Sequence, residues 1–399
     1  MLLGKIFTVC NKAFLGFLMK TVQLFALGAI VLCGTIPISA QTWTQTSAPS
    51  NSWQAVACSA DGIKIAAKSS EGIYFSTNAG ATWALTSIPK RALALSADGN
   101  KWAAVDAFTY TYTSTNWGST WLAVNAPTQQ FYYDFSLTLV ASSADGNKLM
   151  VGNPIYVSSD SGITWSECSL GAASIASSAD GRKLVAVSTG KISGVFTSTN
   201  SGGAWVSNSL PGVSLSECIA SSADGNKLIL VIGGDGIYNS TNAGATWKKT
   251  FNLPLYPLTT SLSVAMSADG GRSITSIGTN LYISTDFGAT WVANNTPAGA
   301  DKTKAVALSA DGNKLIAVVN GGGIWTAQMT VAPSMGITLT NTLLLSWLIP
   351  SANFALQQSS DLANWSDVTN EPVLNLTNLQ NQVMLPASSS SLFFRLKTP

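Results

Sequence analysis

"STNAGATW" occupies residues 76–83 and returns letter for letter at 240–247. Four variants surround it: "STNWGSTW" at 114–121, "SSDSGITW" at 158–165, "STNSGGAW" at 198–205 and "STDFGATW" at 284–291. Each copy has local work to do. An Asp or Asn side chain accepts backbone N–H bonds inside a tight turn, and a glycine supplies positive φ. The closing tryptophan is large enough to cover the turn and pack beyond it. Asn78, Asn116, Asp160, Asn200, Asn242 and Asp286 are the capping residues of the six copies. Gly80, Gly118, Gly162, Gly202, Gly244 and Gly288 supply the turns, and Trp83, Trp121, Trp165, Trp205, Trp247 and Trp291 close them. Four of the six copies carry Asn, which keeps the capping oxygen and discards the charge. That substitution suits a structural turn and not an acid catalyst.

A second motif travels with the first. "SADG" stands at 59–62, 96–99, 143–146, 178–181, 222–225, 267–270 and 309–312. Its spacing of roughly 35–47 residues marks a repeat architecture. Apolar runs flank the Asp-Gly pair, as in "ALALSADGNKWAAV" (92–105), which signals a hairpin. A third strand such as "GIYFS" (72–76) follows, and the eight-residue turn leads into a fourth, "TWALTS" (82–87). Four antiparallel strands per unit, repeated around a ring, are the β-propeller solution to exposed sheet edges.

The seventh unit lacks its own fourth strand after "GGGIWTAQ" (321–328), whereas "TWTQTSAP" (42–49) near the other end matches "TWALTSIP" (82–89). Residues 42–47 are therefore expected to complete the last blade. The fold class is all-β: a seven-bladed propeller over 41–329, closed by its N-terminal strand, then a small β-sandwich over 330–399. In that tail, strands alternate with Asn, Ser and Pro turns up to "FFRLK" (393–397).

Composition narrows the function. Charged residues make up 10% of the 399, against about 25% in a typical soluble domain. The formal charge of +2 falls slightly below zero once Lys5, Lys12 and Lys20 leave with a leader, and no basic run remains for nucleic acid. There is no histidine, which removes imidazole bases and His-ligated zinc. Met19-Lys20, the apolar run "VQLFALGAIVLCG" and the small residues "ISA" at 38–40 read as an export signal over 1–40. Translation starting at Met19 would make residues 1–18 dispensable. The expected location is secreted or cell-envelope, with no stable membrane span after cleavage. Cys58, Cys168 and Cys218 lie among small or apolar strand residues without metal spacing, and are expected as buried thiols, with one disulfide as the alternative. No cofactor or metal is expected.

The eight-residue turns resemble the Asp-box, or BNR repeat, of the sialidase superfamily, roughly Ser/Thr-x-Asp-x-Gly-x-Thr-Trp. The resemblance extends over about 42–328. It implies ligand binding on the face away from the SADG and Asp-box turns, where the loops between second and third strands and between blades emerge. Two connections there are long: "NAPTQQFYYDFSLT" (125–138) and "KKTFNLPLYPLTTS" (248–261). Phe131, Tyr132, Tyr133, Asp134 and Phe135, with Tyr256, are the candidate ligand-binding residues, suited to stacking on sugar rings or gripping a peptide. Their alternative work is to plug the channel or pack on a neighbouring blade.

Catalysis finds little support. The sialidases' arginine triad needs more than Arg91, Arg182, Arg272 and Arg395 offer, and the family's Arg-Ile-Pro motif is absent. Xyloglucanase-like glycosidases use two acids in a cleft between two propellers. Here the acids outside hairpins and tail are Glu71, Asp106, Asp134, Glu167, Glu217, Asp235 and Asp301, and nothing pairs them. The chain also resembles the photosystem II assembly-factor family: a signal-directed chain with one seven-bladed ring that holds partner proteins. The expectation is a non-enzymatic, monomeric recognition or scaffold protein for a protein or glycan ligand. A glycoside hydrolase using the scattered acids is the alternative. On the opposite face, Lys64, Lys101, Lys148, Lys183, Lys227, Arg272 and Lys314 each follow an SADG aspartate by three positions. They are expected to form a solvated rim, and a polyanion site is the rival reading.

Overall fold

The computed structural model describes residues 42–86, 92–105, 111–124, 139–152, 154–168, 170–188, 194–208, 217–253, 262–294, 297, 303–329, 335–339, 342–348, 354–386 and 392–397. Its elements are β-strands throughout.

Each SADG unit builds an antiparallel sheet. The first consists of Ala55–Cys58, Ile65–Lys68, Ile73–Ser76 and Ala84–Leu85, paired in chain order. Five more sheets of the same order follow up to Asn294. The last is assembled from both ends of the repeat region. Thr303–Leu308, Lys314–Gly322 and Ile324–Gln328 supply three strands, and Thr44–Gln45 the fourth, with Thr44 opposite Thr326 and Gln45 opposite Trp325. The expected N-terminal closing strand is present. A second clip reinforces it, because Asn51–Ser52 pairs with the far end of Lys314–Gly322.

Packing between sheets explains the patterning. Second strands are buried on both faces, as in Leu228–Ile232 and Leu184–Ser188, and accordingly read as continuous apolar runs. Seven core clusters among the described residues each join two neighbouring sheets. Each contains one fourth-strand tryptophan: Trp43, Trp83, Trp121, Trp165, Trp205, Trp247 or Trp291. Trp83 lies in the cluster joining the last sheet to the first, where Ala305 and Ile316 meet Ile65 and Ala67. Ala57, Ala94, Ala141, Ala176, Ala220, Ala265 and Ala307 occupy one register position of the innermost strands, which admits close approach near the axis.

At the axis the sheets are stitched by their SADG turns. Ala60 donates its backbone N–H to the Ala97 carbonyl, Ala97 to Ala144, and so on through Ala179, Ala223, Ala268 and Ala310. Ala310 then donates back to Ala60, and every bond is 2.7–2.8 Å. The molecule is a β-propeller, and the seven sheets described accord with the seven SADG motifs.

The tail forms two further sheets, one of four strands and one of three. Leu345, Trp347 and Val383 of the first pack with Leu356, Phe394 and Leu396 of the second in one core, a small β-sandwich.

Candidate functional sites on the two faces

The eight-residue turn is built almost entirely from its own atoms. Ser76 Oγ accepts from Gly80 N at 2.9 Å, Asn78 Oδ1 accepts from Thr82 N at 2.9 Å, and Trp83 Nε1 donates to the Gly80 carbonyl at 3.1 Å. Ala79 and Gly80 both have positive φ, 56° and 90°. A Cβ on Gly80 would sit 2.5 Å from Thr46 Cγ2, so glycine is needed for the closing segment as well as for the turn.

The Asn/Asp exchange has a simple chemistry. Asn78 Nδ2 donates to Thr82 Oγ1 at 2.9 Å, whereas the corresponding Thr164 hydroxyl donates to the Asp160 carboxylate at 2.6 Å. Either residue satisfies the turn. Hydrogen bonds from the Thr164 side chain and backbone and from Ser158 hold the Asp160 carboxyl down to about 2. Asn116, Asn242 and Asp286 make the corresponding bonds, and Asn200, facing Ala204 instead of threonine, keeps the backbone bond.

Both sets of turns share one face. Ala79 N donates to the Ile63 carbonyl at 2.8 Å, tying the first eight-residue turn to the SADG hairpin of its own sheet, and the link recurs from Ser161 to Asn147 and from Ala243 to Asn226.

The bases of this face differ from the expected rim. Lys64 Nζ reaches the next repeat, donating to the Asp98 carbonyl at 2.8 Å and to Asn100 Oδ1 at 2.6 Å. Lys183 bonds Asp224 O and Asn226 Oδ1 in the same way, Lys227 bonds Asp269 O, and Arg272 bonds Asp311 O and Asn313 Oδ1. Lys101 likewise bonds Asn147, while Lys148 reaches Ser201 of the next repeat's eight-residue turn, and the stem of every base lies against the following hairpin's glycine. A Cβ on Gly146 would come 2.8 Å from Lys101 Cβ. Lys64 and Lys227 are further covered by the rings of Trp117 and Phe287, at 4.4 and 3.6 Å. The sequence spacing showed the bases but not their partners, which lie one repeat downstream.

The candidates expected for the opposite face, Phe131, Tyr132, Tyr133, Asp134, Phe135 and Tyr256, fall outside the described residues, as do Asp106 and Asp301. The second long connection is shorter than expected, because Lys248–Asn252 forms a fourth strand. Three of the scattered acids are each engaged by a tyrosine of their own sheet. Tyr74 donates to Glu71 at 2.7 Å, Tyr156 to Glu167 at 3.3 Å and Tyr238 to Asp235 at 2.6 Å. Lys249 Nζ lies 2.6 Å from the other Asp235 oxygen. Burial and the Asp235 carboxylate push the Tyr238 hydroxyl up to about 12, which makes it a firm donor. These pairs belong to the first, third and fifth sheets, and Glu217, a fourth of the acids, begins the first strand of the fifth sheet.

The aromatic position was legible but not singled out. Tyr74, Tyr112, Tyr156, Phe196, Tyr238 and Tyr282 each stand two residues before the serine of an eight-residue turn. The tail carries a shortened version of the eight-residue turn. In "SSDLANW" (359–365) Asp361 accepts from the backbone of Ala363 and Asn364, and Trp365 Nε1 donates to the Leu362 carbonyl at 3.1 Å.

No protein-family profile matches the chain, and no curated protein matches it by sequence. Solved structures do. The chain is similar to the GH74 xyloglucanase from Xanthomonas campestris (TM-score 0.55, 15% identity), covering 77% of this chain and 59% of that enzyme. It is similar to YCF48 bound to D1 peptide (TM-score 0.52, 15% identity), covering 74% of this chain and 97% of YCF48. The Niastella koreensis GH74 enzyme matches with a TM-score of 0.55 at 13% identity, over 90% of this chain and 73% of the enzyme. The likeness is one of fold. The chain spans less than two thirds of the Xanthomonas enzyme's length.

Proposed function

We propose that the chain is a secreted or envelope-located, non-enzymatic recognition propeller of the seven-bladed Asp-box type. It grips a protein segment or glycan on the face away from the SADG turns, through Phe131–Phe135 and Tyr256. Residues 1–40 act as its export signal. The observation that carries the reading is the fate of the acids: Glu71, Glu167 and Asp235 each accept a tyrosine hydroxyl in a different sheet. A hydrolase needs two carboxyls facing one bond across roughly 5–9.5 Å, and carboxylates spent on separate tyrosines are poor candidates for that work. The near-complete coverage of YCF48, whose solved complex contains a peptide, supports a peptide-like ligand. The GH74 likeness favours a second reading, a polysaccharide hydrolase centred on Asp134.

Peptide and glycan arrays run beside a turnover assay on xyloglucan and related polysaccharides separate the two. Binding without turnover, lost in Tyr132→Ala/Tyr133→Ala, supports recognition. Hydrolysis abolished by Asp134→Asn would overturn it.

A further inference from the structure

The SADG face is centred on the ring of seven bonded alanines. Because each N–H and C=O of the ring is spent on its neighbour, no backbone group there needs a partner along the axis. Ala60, Ala223, Ala268 and Ala310 are buried in one cluster with Leu348, and Ala97, Ala179 and Leu379 complete it. Both leucines come from the tail. Leu348 ends the strand Thr342–Leu348 opposite Gln380, and Leu379 immediately precedes Gln380, so they stand side by side at one end of the sandwich.

Two independent features agree. Asp311 and Asn313 are 1% and 4% exposed, whereas the equivalent Asp98, Asp145 and Asp224 are exposed and Asp61, Asp180 and Asp269 half-buried, so the seventh hairpin is the most deeply covered of the seven. Leu379 also has a φ of +55°. A bulky residue in that region costs about 1–2 kcal/mol and persists where its surroundings hold it.

We propose that the C-terminal module is a fixed stopper, seated on the alanine ring by Leu348 and Leu379, and not a tethered arm. It covers the alanine ring on the SADG side. Ligands then reach the disc only from the other face, and ring and module behave as one unit.

Leu379→Asp in the full chain tests this, with Leu376→Asp, exposed in the same turn, as control. Small-angle scattering should show a larger radius of gyration for Leu379→Asp alone. The amides of Ala223, Ala268 and Ala310 should exchange at least about tenfold faster, as local opening is released. Behaviour indistinguishable from Leu376→Asp in both measurements overturns the stopper. Should Leu379→Asp fail to fold, Leu379→Cys/Ala268→Cys gives a second route. A short bifunctional maleimide should join the two parts, and no cross-link in folded protein refutes the contact.

Discussion

Trp53 Nε1 donates to the Gly322 carbonyl at 3.1 Å, while its ring meets Tyr74 edge-on at a centroid distance of 5.2 Å. One side chain thus joins the chain leaving the closing strand, the last sheet it has just completed and the first sheet it is about to begin. Trp53 is fully buried, and the joint is where the ring could open.

Trp53→Ala is expected to lower stability by about 3–5 kcal/mol, the range for emptying a buried aromatic site. Removing residues 42–53 should cost more and expose the edge of Ile324–Gln328. Thermal unfolding and hydrogen exchange on that strand measure both. Unchanged melting after either alteration would contradict the closure.

The strap geometry separates two glycines with similar backbones. Gly146 has φ +69° and lies under the Lys101 stem, whereas Gly234 has φ +74° and nothing within 4 Å of its would-be Cβ. Gly234→Ala should cost about 1–2 kcal/mol from backbone strain alone. Gly146→Ala should cost roughly 1–3 kcal/mol more, as an overpacked site does. Equal denaturation midpoints for the two variants would remove the strap from the account.

Acid sensitivity should depend on which turns carry Asp. The Asp160 carboxyl is lowered from 3.8 to about 2 by its hydrogen bonds. A folded pKa below the unfolded one gives stability that is complete above 3.8 and lost as pH falls toward 2. Asp160→Asn should therefore leave melting at pH 7 nearly unchanged and flatten its decline between pH 4 and pH 2. A variant as acid-sensitive as the parent would count against the turn's carboxylate.

Cys58, Cys168 and Cys218 are free thiols. Burial pushes Cys58 up to about 12 and also raises Cys218 and Cys168. All three should resist a thiol reagent at pH 8 in the folded protein and react fully in denaturant. Reducing agent should leave the melting temperature unchanged. A thiol count of one after denaturation would restore the disulfide alternative.

Much of the fold was legible because its determinants are local. The Ser, Asn or Asp, and Gly of each eight-residue turn bond to one another within five residues. The hairpin glycines and flanking apolar runs act over a similar span, so repetition alone exposed the unit. The match of Trp43 to Trp83 exposed the closure. The site was less legible. Tyr238 and Asp235 are three residues apart, yet a tyrosine near an acid has no signature until a strand sets their directions.

The sequence by itself determined the repeat, the turn chemistry, the order of strands and the way the two ends of the disc meet, since each follows from backbone preferences read over a few residues. Only the tertiary structure decided that SADG bases strap the next repeat, that seven alanines bond into one ring, that three of the acids each accept a tyrosine hydroxyl and that Leu348 and Leu379 pack against the ring alanines. Those contacts run between repeats or between disc and tail. Periodicity records what each repeat is, and the distance and angle between neighbours arise only when the sheets pack.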